Sequence, residues 1–317
     1  MLWALHAGFG AESEGGVQAV AEKSHQELSK VVGWEAALSR PGYASLSQSM
    51  VAELAEYLGQ SRALVEAACK AGAESVAQDW KQRQLHKGSP AAEVLEFYRT
   101  TNSYLFDLTT FNSEYPHTGT LKALAEMGRQ RRLTSVLDFG SGIGSVGLFF
   151  AANGYEVSLA DVSEPLQEYA AWRFKVRGLK VRIINLNREE LPKDAFDLVT
   201  AFDVFEHLPQ PGSALRSIAA GLKVGGLAAF NVTQSDPDYP QHIASYEEVL
   251  SQVSARGFRR RQFLDYTEVF ERVERSPVSE LWHSWWGWFW YRFLYRKALA
   301  GLEMLGVKKT IRKWIKG

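Results

Sequence analysis

Apolar positions along this chain repeat in two rhythms, and the rhythm changes near residue 134. Before it the spacing is helical. Val17, Val20, Ala21, Leu28 and Val31 mark one apolar face, at the steps of three and four that place side chains on one side of a helix. Val51, Leu54, Ala55 and Leu58 mark a second face, which Gly59 ends. A third covers Ala63 to Ala71. Gly88-Ser89-Pro90 interrupts the pattern, and Pro90 suits a first helical position. Val94 to Tyr98 and Tyr104 to Phe106 then continue it. Residues 1–114 therefore predict an all-helical cap.

After residue 134 short apolar runs alternate with amphipathic stretches. The runs predict strands at 135–139, 156–160, 181–185, 197–202 and 226–232. Between and after them the spacing predicts helices near 145–153, 164–177, 212–222 and 244–256. Such alternation predicts an α/β fold with a doubly wound parallel sheet. Gly257 ends the last helix, and Phe258–Phe263 and Thr267–Val273 predict a closing pair of strands. No internal repeat or low-complexity segment interrupts the chain.

Where the first predicted strand ends, the chain reads Val136-Leu137-Asp138-Phe139-Gly140-Ser141-Gly142-Ile143-Gly144. A glycine-rich turn opening a helix lets backbone amides approach a ligand that side chains would block. Two cofactor patterns fit. Asp138 to Gly144 reads Asp-x-Gly-x-Gly-x-Gly. Gly142 to Gly147 reads Gly-x-Gly-x-x-Gly, the dinucleotide fingerprint. Both next want an acid ending a second strand, where a carboxylate accepts both ribose hydroxyls, and Asp161 supplies it. These motifs define a nucleoside-binding βαβ unit without choosing the cofactor.

The downstream sequence chooses. Leu191-Pro192, then Ala195-Phe196-Asp197-Leu198-Val199, then Phe202 to Leu208 with Glu206-His207-Leu208, resembles a run of the class I S-adenosylmethionine (SAM)-dependent methyltransferases. It is most similar to that of the small-molecule enzymes of the ubiquinone-biosynthesis type. The resemblance covers roughly residues 115 to 270. It implies a Rossmann-like methyltransferase sheet, SAM as cofactor, and transfer of a methyl group to a small, lipophilic acceptor at O, N or C. It implies that Gly140, Ser141, Gly142 and Gly144 shape the turn under the methionine part of SAM. Asp138 would fix the turn amides or, through water, hold the SAM ammonium; a helix-capping carboxylate is the structural alternative. Asp161 would hold the ribose and Val162 would pack on the adenine. Asn187 stands where the family usually has an acid that contacts the adenine amino group, and an amide oxygen can accept that bond without the charge. Phe202 and Asp203 would line the gap between methyl donor and acceptor.

The resemblance also bears on the acceptor side. Some relatives hold a divalent cation with a Glu-x-x-Glu-His run. Here Asp203, Glu206 and His207 stand at i, i+3 and i+4 and would share one helical face. In other relatives the same run is structural, and no metal is the expectation. A general base is needed only where the acceptor is a poor nucleophile when protonated. The candidates are Tyr115, His117, His207 and His242, with Tyr98, Tyr104 and Tyr239 on segments expected to face the acceptor. Two alternatives stay beside the methyltransferase: an NAD-dependent oxidoreductase, and a non-catalytic methyltransferase-like docking subunit.

Composition narrows the setting. Lys plus Arg and Asp plus Glu both number 36, so the formal charge is zero and no global attraction to nucleic acid is expected. Cys69 is the single cysteine. That excludes an internal disulfide and an iron–sulfur cluster held by several cysteines of this chain, and fits a reducing cytoplasm. Met1 to Ala7 lacks the basic flank and long apolar run of a signal peptide, and no apolar run reaches the ~18 residues of a spanning helix. Three segments are expected: a cap or lid over 1–114, a SAM-binding domain over 115–275, and a tail over 276–317. The tail is unusual. Trp282, Trp285, Trp286, Trp288 and Trp290 cluster, followed by eight Lys or Arg against Glu303 alone over residues 291–317. Such a helix suits a membrane surface, where aromatic rings sit half buried and basic groups meet anionic lipid. It equally suits packing on the cap or on a second subunit.

Overall fold

The computed structural model describes residues 31–115, 117–232, 239–253, 256–264 and 267–274. The expected face from Val17 to Leu28 and the tryptophan-rich tail lie outside the described residues. Among the described residues seven helices come first: α1 (Trp34–Leu38), α2 (Leu46–Leu58), α3 (Arg62–Lys70), α4 (Gly72–Gln82), α5 (Ala91–Thr100), α6 (Ser103–Ser113) and α7 (Thr118–Arg131). Their ends follow from local chemistry. The Ser45 hydroxyl accepts from the Gln48 amide, and Gly59 closes α2 at φ +63° in the left-handed region. Pro90 stands one residue before α5 rather than inside it.

The sheet follows: β1 (Ser135–Phe139), α8 (Ser145–Ala152), β2 (Glu156–Asp161), α9 (Glu164–Val176), β3 (Arg182–Asn185), β4 (Phe196–Ala201), a short 3₁₀ turn at Phe205–His207, α10 (Pro211–Gly221), β5 (Leu222–Phe230), α11 (Tyr246–Val253), β6 (Phe258–Leu264) and β7 (Thr267–Arg272). The strand order is β3-β2-β1-β4-β5-β7-β6. The first five strands run parallel, and β7 enters antiparallel between β5 and β6. This is the expected Rossmann-like sheet with its closing hairpin. The chain moves outward from β1 to β3 and then returns to the other side of β1 with β4. Ligands of open α/β sheets bind at such a reversal, beyond the carboxyl ends of the strands.

One boundary differs from expectation. The pair Gly225-Gly226 suggests a break before a strand at 226, yet β5 starts at Leu222 and runs through both glycines. The pairing to β4 shifts register between Phe196 and Leu198, and Gly225 takes φ +81°. The glycines form a bulge inside the strand.

Alternation along β1 sorts its side chains between two cores. Val136 joins one apolar cluster and Leu137 and Phe139 the other. The Val136 cluster is continuous with the cap: Leu38, Met50, Leu54, Trp80 and Phe97 pack into the same body as Phe149, Phe150, Tyr169 and Phe174. The cap therefore completes the core on one face of the sheet. No helix among the described residues is long and apolar enough to cross a membrane.

Candidate functional site

A cavity of about 1220 Å³ opens at the carboxyl ends of β1 and β4, between the sheet and the cap. Its floor is the glycine turn. Gly140, Gly142 and Gly144 all have positive φ, at +68°, +51° and +73°, which side-chain-bearing residues adopt only with strain. The turn is tied to β2. The Gly140 amide donates to the Ala160 carbonyl at 2.7 Å. The Gly142 amide donates to Asp161 Oδ2 at 2.8 Å, and the Ser163 amide to Asp161 Oδ1 at 2.8 Å. A Cβ on Gly142 would lie 2.8 Å from Leu108 Cδ1, so α6 of the cap roofs the turn closely.

Asp138, Gly140, Ser141, Gly142, Asp161, Val162, Phe202 and Asp203 all line the cavity. Gly144 does not. A Cβ there would meet Ala170 Cβ at 3.0 Å and Leu159 Cδ1 at 3.1 Å, so this glycine serves the close approach of α8 to its neighbours. Asn187 is also outside. It is exposed, and its amide donates to the Val162 carbonyl at 2.7 Å, while Leu186 faces the cavity instead. Asp138 is 3% exposed, with one oxygen accepting from the Thr200 hydroxyl at 3.0 Å. Burial pushes its carboxyl up to about 7, and the Thr200 bond only partly offsets this. Burial also raises Asp161, against its backbone amide bonds.

The opposite wall comes from the cap and the ends of β4 and β5. Tyr98, Tyr104, Tyr115, His207, Tyr239 and His242 line it. The Tyr98 hydroxyl lies 3.1 Å from His207 Nδ1. The rings of His207 and His242 approach edge to face at 4.8 Å, and His242 stacks on Tyr239 at 5.2 Å. Burial, with the nearby His242, pushes the His207 imidazole down to about 3, so it is neutral at ordinary pH. His117 lies behind this wall. It is buried, stacks on Phe202 at 5.5 Å between ring centres, and has Nε2 3.6 Å from Asp203 Oδ2.

Asp203 departs from the helical-face expectation. Its φ of +53° is left-handed, a strained state for a residue with a side chain. Its amide donates to Asn231 Oδ1 at 2.8 Å, and its Oδ1 accepts from Asn231 Nδ2 at 2.6 Å. Burial would raise this carboxyl, but the His117 and Asn231 contacts hold it below its ordinary value. The helical spacing fails because Asp203 to His207 cross a left-handed residue and a 3₁₀ turn. The potential ligand atoms that do converge belong to Glu206, His207 and His242, all within 4.8 Å of one another. Asn231 and Thr200, which orient the two aspartates, carry no motif signal; they are found only because β4 lies between β1 and β5.

A nucleotide-binding turn at the sheet reversal, an acid ending β2 and an aromatic, helix-roofed second wall define the Rossmann-like SAM-dependent methyltransferase class. A methyltransferase-domain family matches residues 101–297, more than half of the chain, and the protein belongs to that family. Membership of that family favours the Asp-x-Gly-x-Gly-x-Gly reading of the glycine turn over the dinucleotide one. The chain is 27% identical over 150 residues to the ubiquinone biosynthesis O-methyltransferase of Vibrio parahaemolyticus, covering 46% of this chain and 64% of that one. It is 30% identical over 179 residues to the enzyme of the same name from Bordetella avium, covering 51% and 74%. The chain thus spans under two thirds of the Vibrio relative. Among solved structures, an S-adenosylmethionine-dependent methyltransferase of Clostridium acetobutylicum aligns at TM-score 0.43 and 12% identity, over 52% of this chain and 95% of that one.

Proposed function

We propose that this protein transfers a methyl group from SAM to a small, lipophilic acceptor by in-line displacement. One observation carries the reading: the glycine turn with Asp161 and the Tyr98–His207–His242 wall face each other across a single cavity. Small-molecule pockets commonly enclose ~300–1,000 Å³, so about 1220 Å³ has room for a cofactor and an acceptor together. The turn takes the methionine part of SAM, Asp161 the ribose and Val162 the base. Asp138 takes the ammonium. Carboxylates on the lining, including Asp107, Asp203 and Glu206, face Lys70 as the sole lysine or arginine among the described residues. That balance suits cationic SAM and disfavours an anionic acceptor.

A methyl sulfonium is already an activated electrophile. The work left to these residues is alignment and exclusion of water, which helices α3 to α6 perform as a lid. His207 and His242 stand where an acceptor proton would leave, while Tyr115 and His117 support the wall.

Isothermal titration with SAM and with NADH tests the cofactor. Micromolar SAM binding without an NADH response is expected; the reverse would restore the oxidoreductase. Turnover of lipophilic phenols then separates an enzyme from a docking subunit.

A second reading is favoured by the Glu206–His207–His242 convergence. Two imidazoles and a carboxylate suit a divalent cation. When bound there, the ion would orient an acceptor hydroxyl and lower its pKa. Metal analysis of purified protein, with Glu206→Gln as control, tests it. Stoichiometric metal lost in the variant is expected under this reading, and metal-free protein at full turnover removes it.

For residues 278–317 the proposed role is contact with an anionic membrane surface. Truncation at 277 should abolish sedimentation with anionic liposomes and leave a monodisperse protein. An aggregating remainder would mean that the tail covers the core.

A further inference from the structure

The glycine turn is held from behind as well as from β2. Arg173 of α9 is fully buried, as is Glu53 of α2, and Arg173 Nε lies 3.2 Å from Glu53 Oε2. Arg173 Nη1 donates to the Ile143 carbonyl at 2.8 Å and to the Ser145 hydroxyl at 2.8 Å. Arg177, one helical turn on, also pairs with Glu53 and donates to the Leu38 carbonyl at 2.7 Å. None of these three charged side chains lines the cavity.

A buried ion pair is a poor source of stability, because desolvating two charges cancels most of their attraction. Its geometry is more informative here. Ile143 lies between Gly142 and Gly144, both at positive φ. The peptide that carries the Ile143 oxygen has Gly144 on its far side, and a glycine there lowers the steric resistance to its rotation. Such rotation would break the bond from the Gly144 amide to the Ser141 carbonyl, 2.8 Å, and reshape the turn. The guanidinium on the Ile143 oxygen opposes that rotation, and Glu53 holds the guanidinium in place from the cap.

We propose that Glu53 and Arg173 are positioning residues for the cofactor: through this buried clamp the helical cap fixes the backbone of the glycine turn in the shape it presents to the cavity. The inference rests on the SAM reading above. It makes cofactor affinity depend on a cap residue 120 positions from its partner.

The test uses the full chain. Glu53→Gln should weaken SAM binding about tenfold, the loss of one charge-assisted hydrogen bond's worth of positioning. Because Glu53→Gln leaves buried guanidiniums without their carboxylate, the double variant Glu53→Leu with Arg173→Met accompanies it, made in an Arg177→Met background so that no partner of Glu53 is left unpaired. Replacing a buried pair by apolar groups usually preserves stability, so a ligand-free Tm near wild type is expected with SAM affinity still down about tenfold. Hydrogen exchange of the ligand-free proteins gives an independent readout: faster exchange over residues 140–146 in the variants, with β1 unchanged. A folded double variant with wild-type SAM affinity and wild-type exchange in the turn overturns the clamp. Wild-type protein that binds no SAM, yet loses turn protection in the variants, overturns the cofactor reading and leaves the clamp standing.

Discussion

The two walls of the cavity are built in opposite ways. The cofactor wall is local: Gly142 bonds to Asp161 across 19 positions, and Gly140 to Ala160 across 20. Backbone groups do most of the holding. The acceptor wall is assembled from remote segments: Tyr98 meets His207 across 109 positions and the Gln241 carbonyl across 143. Side chains do the holding there. A wall of backbone amides tolerates few changes and recognises one cofactor. A wall of side chains borrowed from several elements can change its ligand by substitution, one residue at a time.

The comparison can be broken first at Asp161. Asp161→Ala removes the proposed ribose acceptor and the anchor of the Gly142 amide, so SAM affinity should fall by about 1.5–3 kcal/mol. Acceptor affinity in the same variant should change little. Equal losses on both sides would mean that the walls are one unit. Unchanged SAM binding in titration calorimetry would remove the ribose assignment.

Acidity sharpens it next. Asp138 sits at about 7 in the ligand-free protein, and the proposed ammonium contact requires its carboxylate. SAM binding should therefore release a proton, and affinity should rise roughly tenfold or more between pH 5 and pH 7. Stability without ligand runs the other way. A carboxyl raised in the folded state contributes fully below its unfolded value of ~3.9, and that contribution is lost as pH rises through about 7. The SAM-induced rise in Tm should thus grow over the same range. A flat affinity profile would detach Asp138 from the ammonium.

The smallest effect is expected at the acceptor wall. Tyr98→Phe removes a hydroxyl 3.1 Å from His207 Nδ1, a bond worth about 1 kcal/mol. Acceptor kcat/KM should fall about fivefold, with SAM affinity unmoved. A matching loss of SAM affinity would place Tyr98 in the cofactor's half.

This asymmetry also explains what could be read from residues alone. The five parallel strands and the glycine turn are written in contiguous runs, and β1 falls on residues 135–139 as the apolar pattern predicts. The bulge at Gly225-Gly226 escapes because a double glycine reads as a break until β4 is seen beside it. At the site, Asp138 and Asp161 follow from strand ends. Asp203 was expected on a helix with Glu206, and only its left-handed backbone shows why it turns to Asn231 instead. Asn187 was expected over the adenine by position, but position could not reveal that the Val162 carbonyl takes its amide. Arg173 resembles any basic residue on an amphipathic helix until Glu53, 120 positions earlier, is found against it.

That last separation has a consequence for how the protein is made. On the ribosome the cap helices emerge before the sheet, carrying a Glu53 carboxylate whose partner does not yet exist. At roughly 5–20 residues per second, the 120 intervening positions leave it waiting on the order of ten seconds. Apolar surface destined for α8 and α9 waits with it. Arrested nascent chains ending before Arg173 should keep a protease-sensitive cap, and chains extended well past Arg177 should protect it. Helices made well before the sheet would then be among the last to reach their final structure.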